Sequence, residues 1–437
     1  MIFKMNLKKS ILILITILIV GIPILLVSLN SSGKFADYGT ASHTLGQIAG
    51  LTGMTLFALT FILSTRAKFI EDAFNGLDKV YGAHGVLGAS AFILILFHPL
   101  LLVLRFIPEK IDLAAKYLLP HGALSINFGI IALVGMIILI CLTIYSNIKY
   151  NRWKFSHEFL GAVFILAALH IFLVRGTASQ DNIFGGYYIY AIVISLIGLI
   201  GFVYNLLLRN KIAPHKSYQI KSVNKLTNCI YEIILSPEKE QLRYKSGQFV
   251  FVKFKNKIVG KEPHPFSLAS SSNNPLLRII VKNLGDFTGS LDNLRVGDKV
   301  NVEGPYGRFN YKRHGREQIW IAGGIGITPF IGMAEDLMKN KSPQSVELYY
   351  TAKTKEDLVC INELKEIESK TANFKVIPWV SNEKGYLTAK EITKGKNLNS
   401  KDFFICGPEK LKQDITSGLI NLGIKKDKIN QEEFGFR

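Results

Sequence analysis

The sequence predicts an α-helical membrane bundle of six helices, followed by an antiparallel β-barrel and a doubly wound α/β domain. Three observations carry this. The first half contains uncharged runs at 10–33, 38–65, 81–104, 117–148, 159–174 and 182–208, and about 20 apolar residues suffice to cross about 30 Å of hydrocarbon. Beyond residue 213 the runs become short, alternating and β-branched, at 217–222, 228–235, 248–255, 277–283 and 299–302, with Gly and Pro turns between them. That pattern reads as a small antiparallel barrel. From about 316, strands (318–322, 345–351, 374–379, 402–406) alternate with helices (329–339, 359–368, 387–393, 408–421). Such alternation implies a parallel sheet covered on both faces. The expected domains are 1–213, 214–313 and 314–437.

Composition agrees. The chain has 437 residues, 49% of them hydrophobic and 19% charged, with a mean hydropathy of +0.25. Soluble domains carry about 25% charged residues. A disordered chain is excluded, and the length requires more than one domain. The net charge of +19 is divided as +8 over 1–213 and +11 over 214–437, with no dense Lys/Arg stripe. Nucleic acid is therefore not an expected partner. An anionic membrane surface and phosphorylated ligands are. Cys141, Cys229, Cys360 and Cys406 show no close pairing, against both a disulfide framework and a cysteine zinc site.

The six spans are expected near 10–29, 44–64, 80–104, 125–146, 154–174 and 186–208. The first has too long an apolar core for a signal peptide, and no small-x-small cleavage site follows it, so it reads as an anchor. Lys4, Lys8, Lys9, Arg66, Lys68, Lys79, Lys149, Arg152, Lys154, Arg209 and Lys211 fall on one side; Lys34, Arg105, Lys110, Lys116 and Arg175 fall on the other. The richer side is expected to be cytoplasmic, and an even helix count puts both termini there. The expectation is a multi-pass protein of the cell membrane.

Four histidines lie inside these spans: His84 and His98 in the third, His157 and His170 in the fifth. Ionisable side chains in lipid are costly and usually functional. The spacings of 14 and 13 residues place two pairs at two matched depths about 20 Å apart. Two bis-histidine b haems stacked across the bilayer would suit them; polar residues satisfied at a helix interface are the plainer alternative. On an ideal helix a step of 14 returns to within about 40° of the same face, whereas a step of 13 misses by about 140°. The fifth helix is therefore expected to bend, to rotate or to present its histidines from two flanks of the haem stack. Pro99, after His98, is expected to kink the third. His43 and His121 read as interfacial.

In the barrel, His264, Pro265, Phe266 and Ser267 end a strand, offering a hydroxyl and backbone groups to an isoalloxazine. Gly285, Asp286, Phe287 and Thr288 open a turn whose N–H groups, at a helix over 288–294, suit a pyrophosphate. Together they suggest FAD; two ordinary β-turns are the alternative. Gly323, Gly324 and Gly326 follow a strand, and Thr328 and Pro329 open the next helix. This is the context of a dinucleotide phosphate loop, here for NAD(P)H. Cys406, Gly407 and Pro408 end the last long strand, at the edge where ligands bind. Cys406 is either a small packing residue or a contact to the nicotinamide. Phe434 is either a frayed terminal aromatic or a cap stacked on the flavin. Lys353 and Lys355 stand where a ribose 2′-phosphate would lie, and are otherwise solvated surface charges.

Taken jointly, these motifs resemble the NADPH oxidase and ferric reductase superfamily, bacterial NADPH oxidases most of all, over roughly residues 44–437. His84, His98, His157 and His170 correspond to its haem ligands. His264-Pro-Phe-Ser and Gly285-Asp-Phe-Thr correspond to its flavin motifs, Gly304-Pro305-Tyr306-Gly307 to the turn after its barrel, and Gly323-Gly-Ile-Gly-Ile-Thr-Pro and Cys406-Gly-Pro to its pyridine-nucleotide motifs. Phe434 corresponds to its flavin-stacking aromatic. The resemblance implies a ferredoxin-reductase-like module, with Ser267, Cys406 and Phe434 at the reacting flavin and nicotinamide. It also implies electron transfer from NAD(P)H through FAD and two b haems to an outer small-molecule acceptor, O2 giving superoxide or a ferric chelate. No obligatory regulatory subunit is expected. Animal oxidases carry a further His after the outer third-helix ligand and an Arg in the second helix. Here Leu102 stands at the first position, and 44–64 has no Arg.

Overall fold

In the computed structural model of the chain, residues 21–27, 35–107, 109–120, 122–145, 150–174, 186–209, 215–256, 258–260, 262–398 and 400–432 are described. The chain divides into two compact units, Met1–Ala213 and Pro214–Arg437.

Five described helices in the first unit are long and apolar enough to cross a membrane: Tyr38–Leu63, Leu77–Leu104, Leu124–Tyr145, Arg152–Leu173 and Tyr188–Leu208. The first expected span falls mostly outside the described residues, of which 21–27 are helical. Helix α1 (Tyr38–Leu63) starts six residues earlier than expected because Asp37 caps it, accepting the Thr40 N–H. Such a cap satisfies an N–H that the first turn otherwise leaves unpaired. A short α2 (Lys68–Phe74) leads into α3 (Leu77–Leu104), which continues through Pro99. An amphipathic α4 (Ile111–Leu118) precedes α5 (Leu124–Tyr145).

The fifth expected helix is two, α6 (Tyr150–Glu158) and α7 (Leu160–Leu173), meeting at Phe159. There the Phe159 N–H reaches Ser156 O, and Phe159 O accepts from both the Ala162 and the Val163 N–H groups. The break lies between His157 and His170. Helix α8 (Gly186–Val203) ends in a π turn, Tyr204–Leu208, where Asn205 Nδ2 donates to Phe61 O and Ser64 Oγ.

Helix α1 is the enclosed element. Its small residues let neighbours approach, as small residues do between helices in lipid: a Cβ on Gly53 would lie 2.7 Å from Ile95 Cγ1. Met54, Phe57, Ala91, Met136, Phe164 and Ile194 form the core of the unit. Ile93, Phe97, Ile131, Val134, Ile138 and Ile200 are exposed. An apolar exterior on apolar helices is what lipid contact requires.

The second unit contains two sheets. A six-stranded antiparallel sheet is ordered β4-β3-β6-β1-β2-β5. Its strands are β1 (His215–Thr227), β2 (Ile230–Pro237), β3 (Phe249–Phe254), β4 (His264–Ser267), β5 (Leu277–Lys282) and β6 (Lys299–Tyr306). The two edge strands are bridged at Leu268 and Ile279, and the Ala269 N–H donates to Arg278 O. The second sheet is parallel and ordered β11-β10-β7-β8-β9. Its strands are β7 (Glu317–Gly323), β8 (Ser345–Ala352), β9 (Phe374–Val380), β10 (Asp402–Cys406) and β11 (Ile429–Gln431). Strand β11 is an edge strand that the sequence pattern did not indicate. The strand order reverses between β7 and β10, which makes their carboxyl ends the switch point.

Between the sheets Asp336 is 1% exposed and accepts from Ser272 Oγ (2.6 Å), Tyr311 OH (2.7 Å) and Lys312 Nζ (2.6 Å). Burial opposes its charge, but the three donors outweigh burial and hold the carboxyl below its ordinary range. Arg278 likewise joins Glu232 (2.7 Å) on β2 to Glu363 (2.7 Å) on the helix Ile361–Lys370.

Candidate functional site

The histidines stand in two facing pairs. The ring centroids of His84 and His157 are 6.1 Å apart, and those of His98 and His170 are 6.3 Å apart. A metal–imidazole bond is about 2.0–2.1 Å and the centroid lies about 1.1 Å beyond the nitrogen, so rings on opposite sides of one metal have centroids about 6.2 Å apart. Both pairs stand at about that centroid separation.

The other ring nitrogen is occupied in each case. Nδ1 lies 3.0 Å from Thr60 O in His84, 2.7 Å from Gly46 O in His98 and 2.8 Å from Ser125 O in His170. A carbonyl only accepts, so these Nδ1 atoms carry the proton and Nε2 keeps the lone pair a metal needs. His157 Nδ1 is 3.4 Å from Thr143 Oγ1, whose own proton goes to Leu139 O at 2.7 Å. Trp153 stacks on His157 at 5.3 Å and 9°, and its indole donates to Thr143 O.

Two glycines make room. A Cβ on Gly50 would lie 2.5 Å from His98 Nδ1, and one on Gly129 would lie 2.8 Å from His170 Nδ1. On α3, Cβ atoms at Gly82 and Gly85 would meet nothing within 4 Å. No group of three or more His, Cys, Asp or Glu that could hold a metal occurs among the described residues. Gly50, Gly129, Thr143 and the carbonyl partners were not read from the sequence. Glycine inside a spanning helix was the one signal available.

In the antiparallel sheet, β4 pairs with β3 from Val252↔His264 to Phe249↔Ser267. Ser267 is 4% exposed and its Oγ has no hydrogen-bond partner. A buried hydroxyl left unpaired costs about 1–3 kcal/mol, and a ligand group at this strand would satisfy it. The His264 ring stacks on Phe287 at 3.5 Å, and Phe266 lies 6.3 Å from the same ring. The two flavin motifs thus touch. The helix expected over 288–294 is instead Asp286–Gly289 followed by a 3₁₀ turn, Leu291–Asn293. Thr288 Oγ1 accepts the Leu284 and Gly285 N–H groups, closing the turn early.

In the parallel sheet, β7 runs into a 3₁₀ turn (Gly324–Ile327) and then the helix Thr328–Lys339, with Pro329 in its first turn. The glycines do more than open a path to phosphate. A Cβ on Gly326 would lie 2.3 Å from Cys406 O, and one on Gly323 would lie 2.5 Å from Leu411 Cδ2. The phosphate-loop candidate therefore packs back to back with Cys406-Gly407-Pro408 across the switch point. Gly324 is different: its φ is +53° and a Cβ would meet nothing within 4 Å. Cys406 is fully buried, and burial, then the nearby Glu432, raises its thiol well above the ordinary range. Thr328 is buried and donates to Ile325 O. Phe434 and His121 lie outside the described residues, as do Arg175 and Lys211.

Comparison with known proteins agrees with this arrangement. Residues 49–168 match the ferric reductase like transmembrane component, 215–310 an FAD-binding domain and 320–417 an oxidoreductase NAD-binding domain. The chain is a multi-pass membrane oxidoreductase with FAD- and NAD-binding domains. Its architecture is that of the NADPH oxidase/ferric reductase superfamily.

NADH-cytochrome b5 reductase 1 of Dictyostelium discoideum is 29% identical over 233 residues, covering 49% of this chain and 80% of that protein. The reductase component of propane 2-monooxygenase from Rhodococcus jostii is 26% identical over 235 residues, and the chain spans 62% of its length. A flavohemoglobin from Malassezia yamatoensis, solved with bound FAD and heme, is 18% identical, with a TM-score of 0.53 over 90% of this chain and 98% of that one. That last likeness is one of fold alone.

Proposed function

We propose that the chain carries electrons across the membrane, from cytoplasmic NAD(P)H through FAD and two b haems to an acceptor at the outer face, with O2 giving superoxide ahead of a ferric chelate. The observation that carries this reading is the pair of histidine pairs, at 6.1 and 6.3 Å. When bound, FAD takes a hydride from the dihydronicotinamide and releases electrons singly, and b haems carry single electrons.

The chain's own part is to hold and orient. His84 with His157, and His98 with His170, present Nε2 lone pairs while backbone carbonyls and Thr143 fix the rings. Two sites are needed because one haem does not span about 30 Å of hydrocarbon. Ser267 offers its unpaired hydroxyl to the flavin, with His264, Pro265, Phe266 and the Gly285–Thr288 turn around it. The Gly323–Pro329 loop takes the coenzyme pyrophosphate at the switch point. Cys406 and Phe434 flank the nicotinamide and the flavin face. The cationic side with Arg66, Lys68, Lys79, Arg152, Lys154 and Arg209 is cytoplasmic, and both termini lie there. The rim with Arg105, Lys110 and Lys116 faces out.

The test is the purified full chain. A pyridine haemochrome assay is expected to give about two b haems per FAD; a colourless flavoprotein sinks the reading. NAD(P)H-driven cytochrome c reduction suppressed by superoxide dismutase supports superoxide. Dismutase-insensitive reduction of ferric chelates without oxygen consumption replaces it with metalloreductase.

A further inference from the structure

At the carboxyl ends of β8 and β9 lies an open surface cleft of about 180 Å³ lined by Thr354, Lys355, Glu356, Val380, Asn382 and Glu383. Strand β8 lies beside β7 in parallel, with Gly323 opposite Thr351. The cleft is thus one strand away from the glycine loop, where the adenosine ribose lies in a doubly wound sheet. The loop walls are tied together, since the Asn382 N–H donates to Lys353 O at 3.2 Å. Thr354 donates to Asp357 from both its N–H and its hydroxyl.

The charges in this cleft oppose a phosphate. Two carboxylates, Glu356 and Glu383, line it against one ammonium, Lys355. Lys355 Nζ is already 3.0 Å from Glu383 Oε1. Glu356 is held below its ordinary range by its own N–H and by Thr354, so it is ionised at neutral pH. Of the neighbouring cations, Lys384 lies over the Trp379 ring at 5.3 Å, and exposed Lys353 is not among the lining residues. A ribose 2′-phosphate carries a charge between about −1.5 and −2 at pH 7 and would face both carboxylates. A free 2′-hydroxyl would donate to them, the role an acidic residue plays in NAD-binding folds.

We infer that this cleft selects the unphosphorylated ribose, making NADH rather than NADPH the chain's coenzyme, with Glu356 and Glu383 as the specificity-determining residues. The inference rests on the proposed coenzyme site. It is tested on the full-length flavin-loaded protein by anaerobic flavin bleaching with NADH and with NADPH. Binding of 5′-AMP against 2′,5′-ADP, followed by calorimetry, gives a second readout. Wild-type protein is expected to favour NADH in second-order rate and 5′-AMP in affinity, each by about tenfold or more. The variant Glu356→Gln/Glu383→Gln, altered at exposed positions, is expected to shrink both ratios by about tenfold. Bleaching that is equal or faster with NADPH overturns the inference and leaves the site reading intact, as do ratios unmoved in the double variant. Flavin that neither coenzyme bleaches sinks the site reading and the inference with it.

Discussion

The two histidine pairs reach nearly the same spacing, 6.1 and 6.3 Å, with different support. In the His98–His170 pair both Nδ1 atoms lie 2.7–2.8 Å from carbonyls, and each ring fills a notch left by a glycine. In the His84–His157 pair one ring has a carbonyl at 3.0 Å and the other a hydroxyl at 3.4 Å, with Trp153 stacked on it. Nearly the same ring separation is therefore reached once by tight fixation and once by looser contact.

The strongest way to break the comparison is to remove a ligand. His98→Ala or His170→Ala is expected to halve haem content and abolish transfer to outer acceptors, while flavin reduction by coenzyme survives. Unchanged haemochrome values in both variants would refute the ligand assignment. Filling the notches comes next. Gly50→Ala and Gly129→Ala place a methyl under 3 Å from a ring nitrogen, and haem affinity at that pair is expected to fall by about 10–100-fold. Equal retention through a haem-extraction titration would show that the rings move aside freely.

Asp336 extends the comparison to the second unit, since it is fixed by three donors as His98 is by its carbonyl. Asp336→Asn is expected to destabilise the reductase unit by about 3 kcal/mol, read as a lowered flavin-release temperature. Its carboxyl is depressed, so its contribution is complete above the unfolded value of about 3.9 and is lost as pH falls through the folded one. The wild-type and Asn variant melts should therefore converge in acid. A gap that widens as pH falls contradicts the assignment. The smallest effect is expected of Thr143→Val, which removes the 3.4 Å contact to His157 together with the hydroxyl's bond to Leu139 O within its own helix. A shift under about tenfold in haem affinity, confined to the His84–His157 site, is predicted. A change in the other haem's spectrum would contradict that confinement.

Most elements of the second unit were legible because period and turn chemistry coincide: β8 and the helix Thr328–Lys339 lie within one residue of their expected bounds. Less legible were features decided by tertiary contact. Nothing in residues 153–164 marks a break at Phe159, and the 13-residue spacing was equally compatible with a bend, a rotation or histidines on two flanks. Strand β11 has three residues and is defined only by its partner β10. Gly323 and Gly326 read as a phosphate loop, yet the close approach they permit in this chain is to Leu411 and Cys406. Lys355 read as a free cation, and its engagement by Glu383, in another loop, has no local signature.

The notches at Gly50 and Gly129 have an evolutionary consequence. Every other amino acid carries a Cβ, so every coding change at these codons pushes on a histidine ring that lies on a different helix. Neither glycine bonds to anything a functional assay would single out. A change at a lipid-facing residue leaves these rings untouched, whereas a change at either glycine does not. The inheritance unit of the His98–His170 site is four residues on four helices.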